Sequence, residues 1–446
     1  MKYIALLLFI FTLAAGSVIA ANWPGFRGPN HDGSSLETGL PEKFSKSENV
    51  KWAAELPGLS ASVPVIWGDS VFITAPIEAE QKYAAICLDA VTGKERWRKI
   101  LADGTRWDKA SNLASLSPAT DGTRVVFFFA TGDMACFDFG GKELWKRQIA
   151  KDHGNFATQW TYSSSPVLDG GKLYIQVLQR DEAFTFQGVN KGVVGTSNDS
   201  YILAIDPAMG KDLWKHIRPS DAEKESREAF STPVFTTVNG QRQMLISGGD
   251  CITGHDPETG KELWRWGHWN DDQNKALRLV PSPVAGDGVV VVCAPKNRPA
   301  FGVKLGGSGK LGDSDLAWTS NPKVATTDVS TPLFYGGHFY LLDSNRKTLS
   351  CMEPKTGKVC WTGDLGSVAK VEASPTASDG KIYVTNFWGE VFVVKADPEK
   401  FTLLHTADMG NGSKAQGTDG SVRNSISIAR GCLFIRVQDK LYCIGE

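Results

Sequence analysis

Tryptophans lie beside arginine, histidine and amide side chains in segments that interrupt a regular pattern of short apolar runs. Aromatic rings stack on planar or sugar-like ligands, and the polar neighbours supply hydrogen bonds that orient them. We therefore predict a ligand- or partner-binding site drawn from Arg106, Trp107, Gln159, Trp160, Trp266, His268, Trp269 and Arg423. The alternative is that these side chains only pack the loops against one another.

Catalytic chemistry has weaker support than binding. The sequence contains no G-x-S-x-G nucleophile context, no C-x-x-C metal spacing and no C-x-x-C-H haem attachment sequence. We assign no catalytic residue and no metal ligand. Among the eight cysteines, Cys351 and Cys360 lie on opposite sides of one predicted hairpin, and they are the candidates for a cross-strand disulfide.

Seven other tryptophans mark a repeat that must position this site. An Asp or Glu begins a turn that continues through Gly-Lys and reaches a Trp eight residues later, as in Asp89–Trp97 and Asp256–Trp264. We predict that these repeat tryptophans fill the space between neighbouring units: Trp52, Trp97, Trp145, Trp214, Trp264, Trp318 and Trp361.

A second marker recurs in step with the Gly-Lys turn and its tryptophan. It is a small residue, followed in most copies by proline, at the start of a short apolar run. The eight copies begin at Val63, Ser117, Ser165, Thr232, Ser282, Thr331, Ser374 and Ser425. Each unit then reads as strand, glycine turn, strand, turn, strand, Gly-Lys turn and strand over roughly 45 to 50 residues, a pattern typical of a β-propeller blade. We predict an all-β, eight-bladed β-propeller, with seven blades as the alternative.

The two ends of the chain complement each other. The last copy stops after its third strand, and residues 51–53 resemble the missing fourth strand. We therefore expect the ring to close by pairing the two ends, which removes exposed sheet edges. The predicted organisation is a signal peptide over 1–20, an N-terminal arm over 21–49 and the propeller over 50–446.

The first residues and the charge balance restrict the location and the partners. An apolar run followed by small residues predicts export to the periplasm or beyond, with cleavage near Ala20 or Ala21. No later run is long enough to span a bilayer. Since 48 basic residues are balanced by 49 acidic ones, we expect no binding of nucleic acid by bulk charge. We expect a monomer.

The Asp-x-x-Thr-Gly-Lys-x-x-Trp repeat resembles that of the PQQ-binding-like β-propeller proteins, the quinoprotein dehydrogenase-like superfamily. The run Asn22–Gly33, and Leu40-Pro41 leading to Trp52, resemble the start of an exported bacterial group in that family. The resemblance covers nearly the whole chain after the leader. It implies a propeller fold and leaves function open, because propellers carry many functions.

Two functions are consistent with the resemblance. One is a non-catalytic scaffold that binds a protein, cell-envelope or small-molecule partner at its loop-rich face. The other is a dehydrogenase that oxidises an alcohol or aldose with pyrroloquinoline quinone (PQQ) and calcium. Quinoprotein alcohol dehydrogenases hold the quinone between a Trp and a disulfide of adjacent cysteines, and this sequence has no adjacent cysteines. We therefore favour the scaffold and assign no cofactor.

Overall fold

The repeat units fold into antiparallel sheets of four strands, eight in all. The computed structural model describes residues 21–104, 112–410 and 421–446. The first strand, β1, is Val50–Glu55. Blades 1 and 2 follow it: β2 Val65–Trp67, β3 Ser70–Ile77, β4 Lys82–Asp89, β5 Glu95–Asp103, β6 Ala119–Thr120, β7 Arg124–Phe128, β8 Asp133–Asp138 and β9 Glu143–Gln148.

Blades 3 to 5 carry the additions to the repeat. Blade 3 contains β10 Val167–Asp169, β11 Lys172–Val177, β14 Tyr201–Ile205 and β15 Asp212–Ile217, with a separate hairpin, β12 Phe184–Phe186 and β13 Val189–Lys191, inserted before its third strand. Blade 4 contains β16 Val234–Val238, β17 Gln241–Gly248, β18 Cys251–His255 and β19 Glu262–Trp266, and blade 5 contains β20 Val284–Gly286, β21 Val289–Cys293, β22 Ala300–Lys304 and β24 Leu316–Thr319. The short β23, Gly309–Lys310, leaves blade 5 and pairs in parallel with β19.

Blades 6 to 8 complete the ring. They contain β25 Leu333–Tyr335, β26 His338–Asp343, β27 Thr348–Met352, β28 Val359–Asp364, β29 Thr376–Ser378, β30 Lys381–Thr385, β31 Glu390–Lys395, β32 Leu403–Asp408, β33 Ser427–Ala429, β34 Cys432–Val437 and β35 Lys440–Ile444. The helices of the described residues are one α-helix, α1 Ile149–His153, and 3₁₀ turns at Glu78–Glu80, Lys224–Arg227 and Asp313–Asp315. None of the helices in the described ranges is long and apolar enough to cross a membrane.

The ring closes as the sequence predicts, and the eight-bladed prediction is confirmed over the seven-bladed alternative. Strand β1 pairs antiparallel with β35, with Trp52 opposite Cys443 and Glu55 opposite Lys440. The last blade therefore takes its outermost strand from the beginning of the propeller and its other three from the end of the chain.

Most repeat tryptophans contact the Gly-Lys turn of the next blade, whereas Trp264 Nε1 donates a hydrogen bond to the Gln243 side chain of its own blade. The Trp52 indole Nε1 donates a hydrogen bond of 2.9 Å to the Ala90 carbonyl, and Trp318 Nε1 donates one of 2.7 Å to the Pro354 carbonyl. A Cβ on Gly93, whose φ is +71°, would lie 2.6 Å from the Trp52 ring. The turn glycine is thus required both for its backbone conformation and for the close approach of the ring.

The arm that precedes β1 crosses one end of the ring. Trp23 exchanges backbone hydrogen bonds of 2.8 and 2.9 Å with Ile66 of blade 1. Arg27 is fully buried, and its Nη2 donates to the carbonyls of Pro332 and Pro375 in blades 6 and 7, both at 3.0 Å. On the far side, the Glu37 carboxylate accepts backbone hydrogen bonds from residues 430 and 431 in blade 8. The arm therefore covers the end at which strands 1 and 2 of each blade turn.

Candidate functional site

The first strands of the eight blades surround a central channel. Side-chain hydroxyl groups in the wall of this channel form hydrogen bonds between neighbouring blades. The marker residue of one blade donates its backbone N–H to the side-chain hydroxyl of the corresponding residue in the next blade. Six such bonds of 2.9 to 3.1 Å join blades 1 to 7, with acceptors Ser117, Ser165, Thr232, Ser282, Thr331 and Ser374. We call these residues the hydroxyl ring.

The hydroxyl ring is the feature that sequence reasoning missed. The marker positions are predicted from the sequence only as small residues. Most of them are Ser or Thr, although a requirement for small size alone would also be met by Ala or Gly. That uniform chemistry was the available signal. Since a buried N–H without a partner is costly, each hydroxyl both satisfies its neighbour and fixes the spacing of adjacent blades.

Replacing Ser282 with Ala should lower the free energy of unfolding by about 1 to 3 kcal/mol, because the buried Thr232 N–H loses its acceptor. Ser282 is 2% exposed, and its hydroxyl accepts the Thr232 N–H at 2.9 Å. Urea unfolding of the two proteins measures the difference. The matched control is Ser282→Thr, which keeps the hydroxyl that Thr232 and Thr331 already use in other blades. Equal losses in the two variants would contradict a hydrogen-bonding role.

The channel encloses a cavity of about 350 Å³. Phe26 of the arm lies at its closed end, and its wall includes the hydroxyl ring. At the other end, the loops that join blades contribute the side chains of the mouth, namely Trp160, Phe230, Arg278, Val280, Val329, Glu372 and Arg423. The arm therefore lies at one end of the cavity, and the described residues at its mouth are apolar groups, two arginines and one carboxylate.

Trp160 is the predicted site residue with the most suitable placement. It is half-buried at the mouth, and the Arg278 guanidinium lies 5.9 Å from the centre of its ring. Its Nε1 is buried and has no hydrogen-bond partner among the described residues. The Trp160 side chain therefore lies in the cavity lining beside a cation, in a position that favours contact with a flat or polar-edged ligand.

Arg423, another candidate site residue, also lies at the mouth, but it is not a free cation. Its Nε donates a hydrogen bond of 3.0 Å to Glu372 Oε2, and its guanidinium carbon lies 4.4 Å from the centre of the Phe387 ring. Glu372 also accepts a hydrogen bond of 2.6 Å from Lys370 Nζ. A ligand would therefore meet an oriented, largely neutralised charge pair.

Gln159, which precedes Trp160, is held in place by two hydrogen bonds. Its backbone N–H donates to Glu228 Oε2 at 2.9 Å, and its side-chain oxygen accepts from Arg180 Nη2 at 2.5 Å. The Glu228 side chain is fully buried and forms an ion pair with Arg180. Burial raises the pKa of Glu228 to about 7, against the opposing effect of the Arg180 charge. This pair was not predicted, because Arg180 follows β11 of blade 3 and Glu228 lies in the loop that joins blades 3 and 4, two segments that the repeat does not relate.

Three other predicted residues lie away from the channel cavity. Trp266 and Trp269 are 1% and 3% exposed and pack in the core of blades 4 and 5, where the Trp266 ring lies 4.9 Å from the Phe301 ring. Their placement favours the packing alternative. His268 lines a second cavity of about 250 Å³ with Asp250 and Asp271. Burial raises the pKa of Asp250 in this second cavity to about 6.

The remaining candidates give no further information on the site. Arg106 and Trp107 lie outside the described residues. Cys351 and Cys360 are free thiols in the structure, and Cys351 lies directly opposite Trp361 rather than Cys360. The disulfide between them stays a prediction.

The lining of the channel tests the quinone and calcium that the resemblance implies. Calcium takes six to eight oxygen ligands, with carboxylates prominent among them. The described lining offers one carboxylate, Glu372, and both of its oxygens are occupied by Arg423 and Lys370. The described residues therefore do not fit a calcium-quinone site.

The sequence is similar to those of two proteins of known function. Polyvinylalcohol dehydrogenase from Sphingopyxis sp. (strain 113P3) is 25% identical over 381 residues, which cover 75% of this chain and 49% of that protein. Outer membrane protein assembly factor BamB from Alteromonas naphthalenivorans is 26% identical over 241 residues, 51% of this chain and 49% of that protein. The chain thus spans about half the length of these curated relatives.

Solved structures agree on the architecture. BamB from Moraxella catarrhalis superposes with a TM-score of 0.60 at 13% identity over 89% of this chain and 99% of that one. A europium-containing methanol dehydrogenase gives a TM-score of 0.66 at 12% identity, over 91% and 87%. The model of the PQQ-repeat family described as outer membrane protein assembly factor BamB matches residues 44–183, 198–301 and 311–429. The chain belongs to that family.

Proposed function

We propose that the protein is an exported, non-catalytic scaffold that binds a protein partner through the mouth of its channel. The observation that carries the proposal is the cavity itself, which is closed at one end by the arm and lined at the other by apolar side chains and paired charges. A cavity of about 350 Å³ accommodates a few side chains or a small ligand, within the usual range for binding pockets.

The charges at the mouth support binding over catalysis. General acid–base chemistry needs a group that is free to take or give a proton at the reacting atom. In the described lining, Glu372 is shared by Arg423 and Lys370, and Arg278 donates to Glu225 at 2.9 Å. Groups held in this way orient a partner and contribute specificity.

The partner class follows from the mouth and from the relatives. Trp160, Phe230, Val280 and Val329 offer the mixture of aromatic and aliphatic surface on which protein side chains pack. One relative is named for its part in assembling outer membrane proteins. We therefore infer an exported polypeptide as the partner of this chain.

A photoreactive amino acid placed at Val329 tests the proposal in cells that produce the exported protein. We expect ultraviolet light to yield a defined adduct with one envelope protein at this position. The control is Leu213, which is 47% exposed on the outer edge of blade 3 and should yield none. Combining the probe with Trp160→Ala should remove the adduct and leave the melting temperature nearly unchanged. Adducts of equal yield at both positions, or none at either, would contradict the proposal.

A second measurement addresses the alternative activity. PQQ and calcium added to the purified protein should leave its melting temperature unchanged, since a ligand raises that temperature only if the folded state binds it. A rise at saturating cofactor, accompanied by dye-linked oxidation of an alcohol or aldose, would overturn the scaffold in favour of a dehydrogenase.

A further inference from the structure

Three side chains with metal-binding chemistry converge in blade 6. A ring nitrogen of His338 and the sulfurs of Cys351 and Cys360 all lie within 4.8 Å of one another. His338 begins β26, Cys351 lies on β27 and Cys360 lies on β28, so three neighbouring strands each provide one group. No other set of three such groups is this close among the described residues.

The separations suit a small thiophilic ion. With Zn–S bonds of about 2.3 Å and Zn–N bonds of about 2.0 Å, a tetrahedral Zn²⁺ places its ligand atoms about 3.6 to 3.8 Å apart. The limit of 4.8 Å for the three atoms is close enough to be met by small rotations of side chains. Cys351 is fully buried, whereas Cys360 and His338 are half-buried and leave a path from solvent.

The surroundings orient two of the three groups. His338 Nδ1 lies 3.0 Å from the Gly336 carbonyl oxygen. Because a carbonyl only accepts, Nδ1 carries the proton, and Nε2 of the neutral ring keeps its lone pair. Metal-bound histidines are held in this way by a hydrogen bond from the other nitrogen. The Tyr340 hydroxyl interacts with the Cys351 sulfur and can donate to its thiolate.

The internal repeat shows that the framework of a blade does not require these residues. The slot opposite the repeat tryptophan is occupied by Cys87 in blade 1 and Cys136 in blade 2, as it is by Cys351 in blade 6. The position of Cys360, next to the tryptophan, is Arg96 in blade 1 and Leu144 in blade 2. The position of His338 is occupied by Ser70 and Arg124 in the same two blades. Of these three blades, only blade 6 has all three groups. Packing against the repeat tryptophan explains Cys351, but it does not explain Cys360 or His338.

We propose that His338, Cys351 and Cys360 bind one Zn²⁺ ion as three protein ligands, with a fourth position open to water. Thiolates and imidazole are the ligands that zinc prefers in proteins. The reaction involves no oxidation, since two thiols each lose a proton as two Zn–S bonds form. Both protons are released to solvent.

Zinc displaces the proton of a thiol when it binds the sulfur. Binding should therefore release protons and strengthen as the pH rises.

Titration of the reduced full chain with Co²⁺, a spectroscopic substitute for zinc, tests the site. We expect one equivalent to produce the intense ultraviolet absorption of cobalt–thiolate bonds, and one equivalent of Zn²⁺ to abolish it. His338→Ala and Cys360→Ser should each remove stoichiometric binding, and because both side chains are half-buried the variants should still fold. The matched control is Cys87→Ser, which alters the same slot in blade 1 and should leave binding intact.

Three results would overturn the proposal. One is the absence of a thiolate band in the reduced protein, and another is an unchanged titration in Cys360→Ser. The third is a non-reducing peptide map in which Cys351 and Cys360 are joined as a disulfide in protein isolated from its own compartment. Circular dichroism of each variant distinguishes a lost ligand from a lost fold.

Discussion

Deleting residues 21–56 should prevent the chain from folding as a stable monomer. The deletion removes β1, so β35 would present an unpaired edge to solvent, and exposed edges promote association between chains. It also removes Trp52, which is 8% exposed and hydrogen-bonds to the next blade's turn. We expect a loss of at least about 5 kcal/mol, comparable to the total stability of many domains. Thermal melting followed by circular dichroism, with size-exclusion chromatography, measures both effects.

A shorter deletion separates closure of the ring from coverage by the arm. Removing residues 21–39 takes away Trp23 and Arg27 but leaves β1 and the buried Phe44 in place. This variant should remain a folded monomer with a lower melting temperature. If the long deletion melts as the short one does and stays monomeric, pairing of the chain ends does not hold the ring together.

Replacing Arg180 with Met should lower the free energy of unfolding at pH 8 by about 3 to 5 kcal/mol, the usual cost of leaving a buried charge without its partner. Glu228 is 0% exposed, and Arg180 is its ion-pair partner. The same substitution removes the hydrogen bond that holds the Gln159 side chain behind Trp160. Urea unfolding at two pH values measures the effect on stability.

The sign of the pH dependence follows from the direction of the shift. The pKa of Glu228 is raised to about 7 in the folded protein from 4.5. As pH rises between these values, the unfolded chain loses this proton first, so Glu228 disfavours folding progressively and the penalty is complete above about pH 7. Removing the Arg180 charge raises the folded pKa further and extends the penalty to higher pH. Arg180→Met should therefore lose much less stability at pH 5 than at pH 8.

The second substitution, Glu228→Gln, provides the control. In the double variant no carboxylate remains at position 228, so most of the stability at pH 8 should return. A single Arg180→Met variant that is equally destabilised at pH 5 and pH 8 would show that packing, and not the ionisation of Glu228, determines the loss.

The blades were predictable because the contacts between them join equivalent positions in consecutive copies of the repeat. Trp97 and Gly141 belong to consecutive copies, and the contact between them recurs wherever the copies recur. The pairing of β1 with β35 was also predictable, since a missing strand at one end matched an extra strand at the other. Periodicity in one chain therefore carries the information that an alignment would supply for a protein without repeats.

The mouth was only partly predictable, because its side chains are positioned by contacts between non-equivalent segments. Trp160 depends on Arg180 and Glu228, which the repeat does not relate to each other. Trp266 and Trp269 have the same composition as a binding loop, but Phe301 of the next blade and the rest of that core bury them. Phe26 reaches the cavity from the arm. Residue type alone could not separate these cases.

Among the described residues, the arm lies across one end of the central cavity and the mouth lies at the other end. A molecule that enters past Trp160 and Arg423 would then leave by the same mouth. The rates of association and dissociation would then be governed by the same few mouth side chains. A substitution there that widens the entrance should speed capture and release together, with little change in affinity. Removing the arm residues around Phe26, by contrast, should open a second end, so that a molecule could pass through in either direction.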